Sequence, residues 1–355
     1  MKNGSTVAAP RLRPKKPSLL LWLLGLALIA ALIWSGVWLL AAQQTGTELQ
    51  AWVAREKAFG RVWSCPNPKI GGYPAAISIN CASPRFDGLI LGHTYSGTLQ
   101  GLNVTASVSH PRDIDIAADS PFVATSKDQK VNFQLTWSDL KVRLSGLPQD
   151  LWQAAVSGEN VALRGSAGAV GFAGAVRETA VTAAQRTTQD GPAIDFNLTL
   201  GGATLPLIEQ LLGPGAPTDI ASQGTVTKTS FETNLTPAQN LDLWRTAGGH
   251  VDLTSFTLTR GDTKFAAKGT FALSPAHRVS GHFETTSSGL EPVLQHYGID
   301  PGLLSFGALL GNLLSGHSND AQTQGPTKLH LPIELDDGRL AVGPVRTSFT
   351  MEPVY

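Results

Sequence analysis

Apolar and polar positions divide this chain into two regimes. From Ser18 to Ala42 the residues are almost uniformly apolar, and no charged residue lies between Lys16 and Glu48. From Ile70 onward the apolar positions instead recur every second residue. Ile77, Ile79 and Cys81 alternate with Ser78 and Asn80, and Leu102, Val104, Ala106 and Val108 repeat the pattern. Val131, Phe133, Leu135 and Trp137 alternate with Asn132, Gln134, Thr136 and Ser138, then Leu140, Val142 and Leu144 with Lys141 and Arg143. The same period recurs over 194–200, 265–271 and 329–335. A period of two means one wet and one dry face, the habit of antiparallel sheets. No helical crossovers separate these strands, so the predicted sheet is antiparallel. The change from odd to even apolar positions at Ser138-Asp139 predicts a hairpin turn there. Asp337-Gly338 predicts another, because Asp-Gly suits a tight two-residue turn.

The continuous apolar run predicts a helix about 37 Å long, enough to cross a hydrocarbon layer of about 30 Å. Lys2, Arg11, Arg13, Lys15 and Lys16 precede it, so the positive-inside rule keeps 1–17 in the cytoplasm and exports the remainder. A cleavable signal has a shorter apolar core of about 7–15 residues and a small-residue cut site. Here Leu40 precedes Ala41-Ala42-Gln43, and an uncleaved signal anchor is the expectation. Trp22, Trp34 and Trp38 fall where interfacial aromatic belts would lie. The chain is expected to continue over 43–62 as a short juxtamembrane helix, with Thr47 and Gln50 as a capping box and Leu49, Trp52 and Val53 on one face.

Short helices punctuate the strands. Leu205–Leu212 is apolar and stops at Gly213. Thr236-Pro237 with Gln239 predicts a capped helix ending at Gly248-Gly249. Residues 290–297 and 301–314 form an apolar helical pair, the second with Gly307 and Gly311 at G-x-x-x-G spacing, and 316–327 read as a loop. The region 63–355 is the β-rich domain, with a candidate division into two halves near 213–217, where Gly and Pro cluster. The fold class is therefore mainly β (α+β): a transmembrane helix, then a curved antiparallel sheet with a few covering helices.

Composition narrows the function. The segment after Ala42 carries all 27 acidic residues and, with five of the 27 basic ones spent in the leader, is net negative. That balance argues against nucleic-acid binding, which needs a basic face. Charged residues make up 15% of the chain, against 37 Gly and 22 Pro, so hydroxyls and glycines build the polar face. Cys65 and Cys81 are the only cysteines, and an oxidising compartment favours their pairing. The sequence holds no G-x-S-x-G elbow, H-E-x-x-H, phosphate-binding loop or C-x-x-C. Its eight histidines are scattered; His277 and His282, the nearest pair, suit neither one helix face nor one strand face. Glycines 165, 168, 171 and 174 predict a strand in close backbone contact rather than a phosphate cradle. No catalytic, cofactor or metal residue is assigned.

Two stretches carry a family likeness: Trp63-Ser64-Cys65 with Gly71-Gly72-Tyr73-Pro74 and Ile77–Cys81, and Trp244-Arg245 with Gly248-Gly249, Lys268–Phe271 and Asp337–Leu340 with Gly343-Pro344. Together they resemble the bacterial domain of unknown function 2125 family, found mainly in alphaproteobacteria, over most of 45–350. Its paired cysteines match Cys65 and Cys81, and its turn matches Tyr73-Pro74; Ala75-Ala76 depart from the larger apolar residue common there. Gly249–Leu294 is similar, more weakly, to AsmA-like envelope proteins, which have an inner-membrane anchor and a curved periplasmic sheet. The likeness implies topology and location: a single-pass inner-membrane protein with a periplasmic domain. The expected role is a non-catalytic module binding lipid or an envelope partner through an apolar sheet face. An enzyme acting on envelope glycan or lipid, and a structural subunit of an inner-membrane complex, are the alternatives.

Overall fold

The computed structural model describes residues 19–90, 93–147, 151–213, 215–230, 232, 235–289, 329–343 and 345–355. The apolar run and the residues after it form one unbroken helix, α1 (Leu19–Ala58). No cap forms at Thr47: its hydroxyl donates back to the Gln43 carbonyl at 3.3 Å, as Thr45 does to Ala41 at 2.9 Å. Hydroxyls that bond within the preceding turn leave the helical ladder intact, so the capping box expected at Thr47 and Gln50 is absent and the helix runs on. Exposure changes along α1. Its first turns stand open, and from Ser35 a half-buried stripe runs through Trp38, Ala42, Thr45, Leu49 and Val53. That spacing of three and four marks one helix face against a neighbour. The last turn is tied down by Arg61, whose guanidinium donates to both Glu56 carboxylate oxygens at 2.6 and 2.9 Å, and by Trp63 Nε1, which donates to Glu56 at 3.3 Å. The Arg61 hydrogen bond holds the Glu56 carboxyl below its ordinary pKa.

The neighbour is a single antiparallel sheet of eighteen strands among the described residues. Its first edge is built from short pieces. β1 (Val62–Ser64) pairs with β4 (Arg85–Ile90), and β2 (Lys69–Gly71) pairs with β3 (Ala76–Ala82). Both β3 and β4 lie end to end along β5 (His93–Ser107). β5 pairs with β6 (Asp113–Ser126). From there the chain meanders through β9 (Gln153–Ala167), β10 (Val170–Thr188), β11 (Gly191–Ala203), β12 (Thr218–Val226), β13 (Val251–Arg260) and β14 (Thr263–Leu273), each pairing with the next. It continues through β15 (Val279–Ser288), β16 (Leu329–Asp336), β17 (Arg339–Val342) and β18 (Val345–Thr350). The β11–β12 pairing carries the sheet across the Gly/Pro cluster at 213–217. A right-handed twist of about 20–25° per strand makes so wide a sheet coil.

Between β6 and β9 the structure departs from the sequence reading. β7 (Val131–Thr136) and β8 (Asp139–Ser145) do not form a hairpin with each other. They lie end to end, each pairing with a different half of β6 and of β9. A two-residue hairpin wants positive φ at its centre, and Ser138-Asp139 contains no glycine. The chain instead slips by one residue at Trp137-Ser138, and β9 matches the slip at Asn160, whose φ is 50°. The paired irregularities keep the odd apolar set of β7 and the even set of β8 on one face. Trp137 fills the joint: it is buried, and its indole donates to the Ala118 carbonyl at 2.8 Å.

The turns and caps read from sequence do form elsewhere. Asp337 and Gly338 take φ of 48° and 78° between β16 and β17. The helix α2 (Pro206–Leu212) follows β11. α3 (Pro237–Thr246) starts at Thr236, which forms a capping box with Gln239. The pair expected over 290–297 and 301–314, and the loop at 316–327, lie outside the described residues, as does the leader at 1–17.

Two glycines separate close backbone approach from mere small size. A Cβ on Gly224 would lie 2.4 Å from the Asp252 carbonyl oxygen and 2.9 Å from the Phe196 ring, whereas one on Gly171 would meet nothing nearer than 3.9 Å. Gly224→Ala is therefore expected to destabilise the sheet by about 1–3 kcal/mol, and Gly171→Ala to change it by under about 0.5 kcal/mol. Urea unfolding of the two variants measures the difference.

Candidate functional site

Residues opposite one another in an antiparallel ladder share a face, so the register shows what each face carries. One row starts at Ile77 and crosses Ala106, Ile114, Leu144, Ala154 and Ala183. It continues through Phe196, Gly224, Leu253, Gly269, Phe283 and Ile333 to Val342. A second row runs Ile79, Val104, Ile116, Val142, Val156, Val181 and Leu198, then Ser222, Phe256, Ala267 and Thr285. Neither row contains a charge, so together they form a charge-free, mainly apolar band across one face of the sheet.

Among the described residues this face packs sideways rather than under a second layer. Side chains along both rows are mostly half-buried, and only eight apolar residues among those described are fully buried: Cys81, Phe86, Ala124, Trp137, Ala193, Ala203, Trp244 and Val251. A sheet sandwiched against another layer would bury most of its inward side chains. Here aromatic rings lie across neighbouring strands instead. Phe122 covers Gly97, Phe172 covers Gly165, and Phe196 covers Gly224, each ring within 3.0 Å of where a Cβ would stand. Gly165 thus bears out the expected close contact, and Gly171 does not. At the first edge Trp63 stacks on Phe86 at 4.6 Å and meets Trp52 of α1 at 5.8 Å. Ile70 Cδ1 lies 3.5 Å from a Cβ position on Gly46. The C-terminal half of α1 meets the sheet at that edge.

The opposite face is polar and mutually satisfied. Arg143 donates to Asp115 at 2.7 Å, Thr225 to Asp195 at 2.6 Å, and Lys268 pairs with Glu284 at 2.9 Å. A shallow recess of about 510 Å³ opens there among Asp252, Thr254, Lys268, Thr270, His282 and Glu284. Its charges already have partners: His250 lies 3.4 Å from Asp252, and His282 lies 3.5 Å from Glu334. No group of three metal-ligating side chains converges among the described residues. His277 and His282 do not meet as a pair; His277 occupies a turn and stacks on Tyr355 at 4.3 Å.

A polar knot fastens α3 to the sheet, and sequence reasoning did not foresee it. Trp244 is buried, donates to the Thr227 carbonyl at 2.7 Å, and fills the space where a Cβ on Gly249 would stand. This accounts for the Trp244 and Gly248-Gly249 signature: Gly248 turns with φ 73°, and Gly249 admits the indole. Arg245 donates to Asp242 at 2.7 Å, and Tyr355 Oη donates to the same carboxylate at 3.2 Å. Chiefly through the Arg245 hydrogen bond, the Asp242 carboxyl is held below its ordinary pKa. Cys65 and Cys81 stand at disulfide distance, with Cα atoms 5.6 Å apart, and join the β1–β2 connection to β3.

The chain matches the model of a family described as "Uncharacterized protein conserved in bacteria (DUF2125)" over residues 38–348, and it belongs to that family. No curated protein and no solved structure matches it. The match begins at Trp38, within the half-buried stripe of α1, and takes in the described sheet up to β18.

The Asp242 knot has a pH signature. A carboxyl with a depressed folded-state pKa stabilises above its unfolded value of 3.8 and loses that contribution as pH falls through the folded value. Asp242→Asn is expected to melt at a lower temperature than the unaltered protein at pH 7. The gap should close as pH drops below 3.8, which paired thermal melts across pH 3–7 would record.

Proposed function

We propose that this family member is a membrane-anchored, non-catalytic module that holds lipid acyl chains on the apolar face of its sheet. α1 crosses the bacterial inner membrane with its basic leader in the cytoplasm, and the sheet stands in the periplasm. There it serves envelope maintenance or biogenesis. Cys65 and Cys81 form a disulfide in that oxidising compartment.

One observation carries this reading: the charge-free rows that cross the sheet from β3 to its far strands with no opposing layer among the described residues. Apolar area left unpacked favours an apolar occupant by roughly 25 cal/mol per Å². Acyl chains suit it because they conform to a surface of alternating Phe, Leu, Val and Gly without demanding hydrogen bonds. Large contiguous apolar surface on a folded chain marks an interaction site. The polar face, with its answered charges, has no comparable unmet demand.

The test reconstitutes the full chain in nanodiscs containing a phospholipid with a photoreactive group near the end of its acyl chain. Cross-links are expected on β8, β9 and β11 as well as on α1. Leu198→Asp, which buries a charge against the apolar face, should cut cross-linking on the sheet about tenfold. Thr199→Asp, on the polar face, should leave it within about twofold. Cross-links confined to α1 would overturn the reading. Non-reducing mass analysis of the exported protein checks the disulfide: no alkylated thiol is expected, and two would refute the pairing.

A further inference from the structure

The anchor and the sheet touch at a telling height. Trp34 Nε1 donates to the Pro74 carbonyl at 3.1 Å, and Trp38 Nε1 donates to the Ala76 carbonyl at 2.8 Å. Ser35 Oγ and Tyr73 Oη lie 2.9 Å apart, and the Trp38 and Tyr73 rings meet edge-on at 5.5 Å. All three helix residues belong to the apolar run. At about 1.5 Å per residue, Trp34 lies roughly 22 Å and Trp38 roughly 28 Å along α1 from Leu19. A hydrocarbon layer of about 30 Å entered at the start of the helix therefore ends at about these tryptophans. In a bare anchor their indole N–H groups would face headgroups and water. Here they face the backbone of a turn that occupies that place.

We propose that the turn at Gly72–Ala76, with the loop 108–112 beside it, is seated in the phospholipid headgroup layer on the exported side and holds the sheet upright on the bilayer. The inference rests on α1 crossing the membrane. The turn is built for a fixed shape. Gly72 has φ 98°, and a Cβ there would lie 2.6 Å from the Ala76 carbonyl oxygen. Val108 N donates to the Ala75 carbonyl at 2.9 Å, which sets the neighbouring loop at the same end of the sheet. That end presents Tyr73, 52% exposed, together with exposed His110 and Arg112. An aromatic ring with a polar tip and a guanidinium are the groups that interfacial lipid accepts. The half-buried stripe of α1 runs from this height to Val53 along the first edge, so helix and edge strands rise together. The apolar row beginning at Ile77 then starts one residue beyond Ala76, at the headgroup level.

The experiment places a fluorophore on a single added cysteine in the full chain, whose native cysteines are paired. The positions are Ile29→Cys, Ala75→Cys, Ser109→Cys and Lys127→Cys, the last in the turn at the opposite end of β6. Nanodiscs carry phosphatidylcholine and phosphatidylglycerol with nitroxides either on the headgroup or deep in the acyl chain. Headgroup nitroxide should quench positions 75 and 109 at least about threefold more than 127, and acyl-chain nitroxide should quench 29, since such labels act only over about one headgroup thickness. If 29 is quenched and 75 and 109 match 127, the seating fails while the anchor stands. If 29 is not quenched by either lipid, both the anchor and the seating fall.

Discussion

In-phase register is the constraint on which the rest of this structure depends. A strand's side chains alternate with a period of two, so a slip of one residue would send its apolar set to the wet face. Across the sheet the apolar rows stay aligned from Ile77 to Val342. Where the chain loses phase, as at Trp137-Ser138, the partner strand loses it too, at Asn160. Long antiparallel pairing then provides what a three-dimensional core ordinarily would. Stability is spread along ladders and cross-strand contacts, with only scattered residues fully buried. Among the described residues, an open apolar band is the direct consequence.

A sheet of this kind has two edges, and unpaired edges invite unwanted pairing. The first edge is short, broken into β1 and β2, and covered by the C-terminal half of α1. The same helix face that covers it begins within the apolar run, so the edge is covered by a helix that is continuous with that run. The missing side chain at Gly46 lets the helix approach Ile70, while Trp52 meets Trp63. The cysteine pair secures that corner by joining the connection after β1 to β3.

Much of the architecture was legible along the chain. Strict alternation marked the strands, Asp337-Gly338 marked a hairpin, and Thr236 with Gln239 marked the start of α3, because each signal is local and complete within a few residues. The β7–β8 joint was misread because a change of apolar phase looks identical in a turn and in a bulge. Only the strands on either side decide between them. The cap at Thr47 was misread because a threonine hydroxyl serves equally as a cap or as a back-bonder to the preceding turn. The Asp242 knot was invisible, since Tyr355 and His277 reach it from distant parts of the sequence.

The sequence by itself determined the period of each segment, and therefore a helix long enough to cross a membrane, an antiparallel sheet, and a chain of modest charge with two cysteines. These follow from local patterning, which each segment carries alone. Tertiary structure decided how the strands line up, that their apolar rows join into one band left uncovered among the described residues, and that the long helix meets the sheet at Trp34 and Trp38. Those depend on pairing between segments far apart in sequence, where register and approach are set by the neighbour and cannot be written in either strand alone.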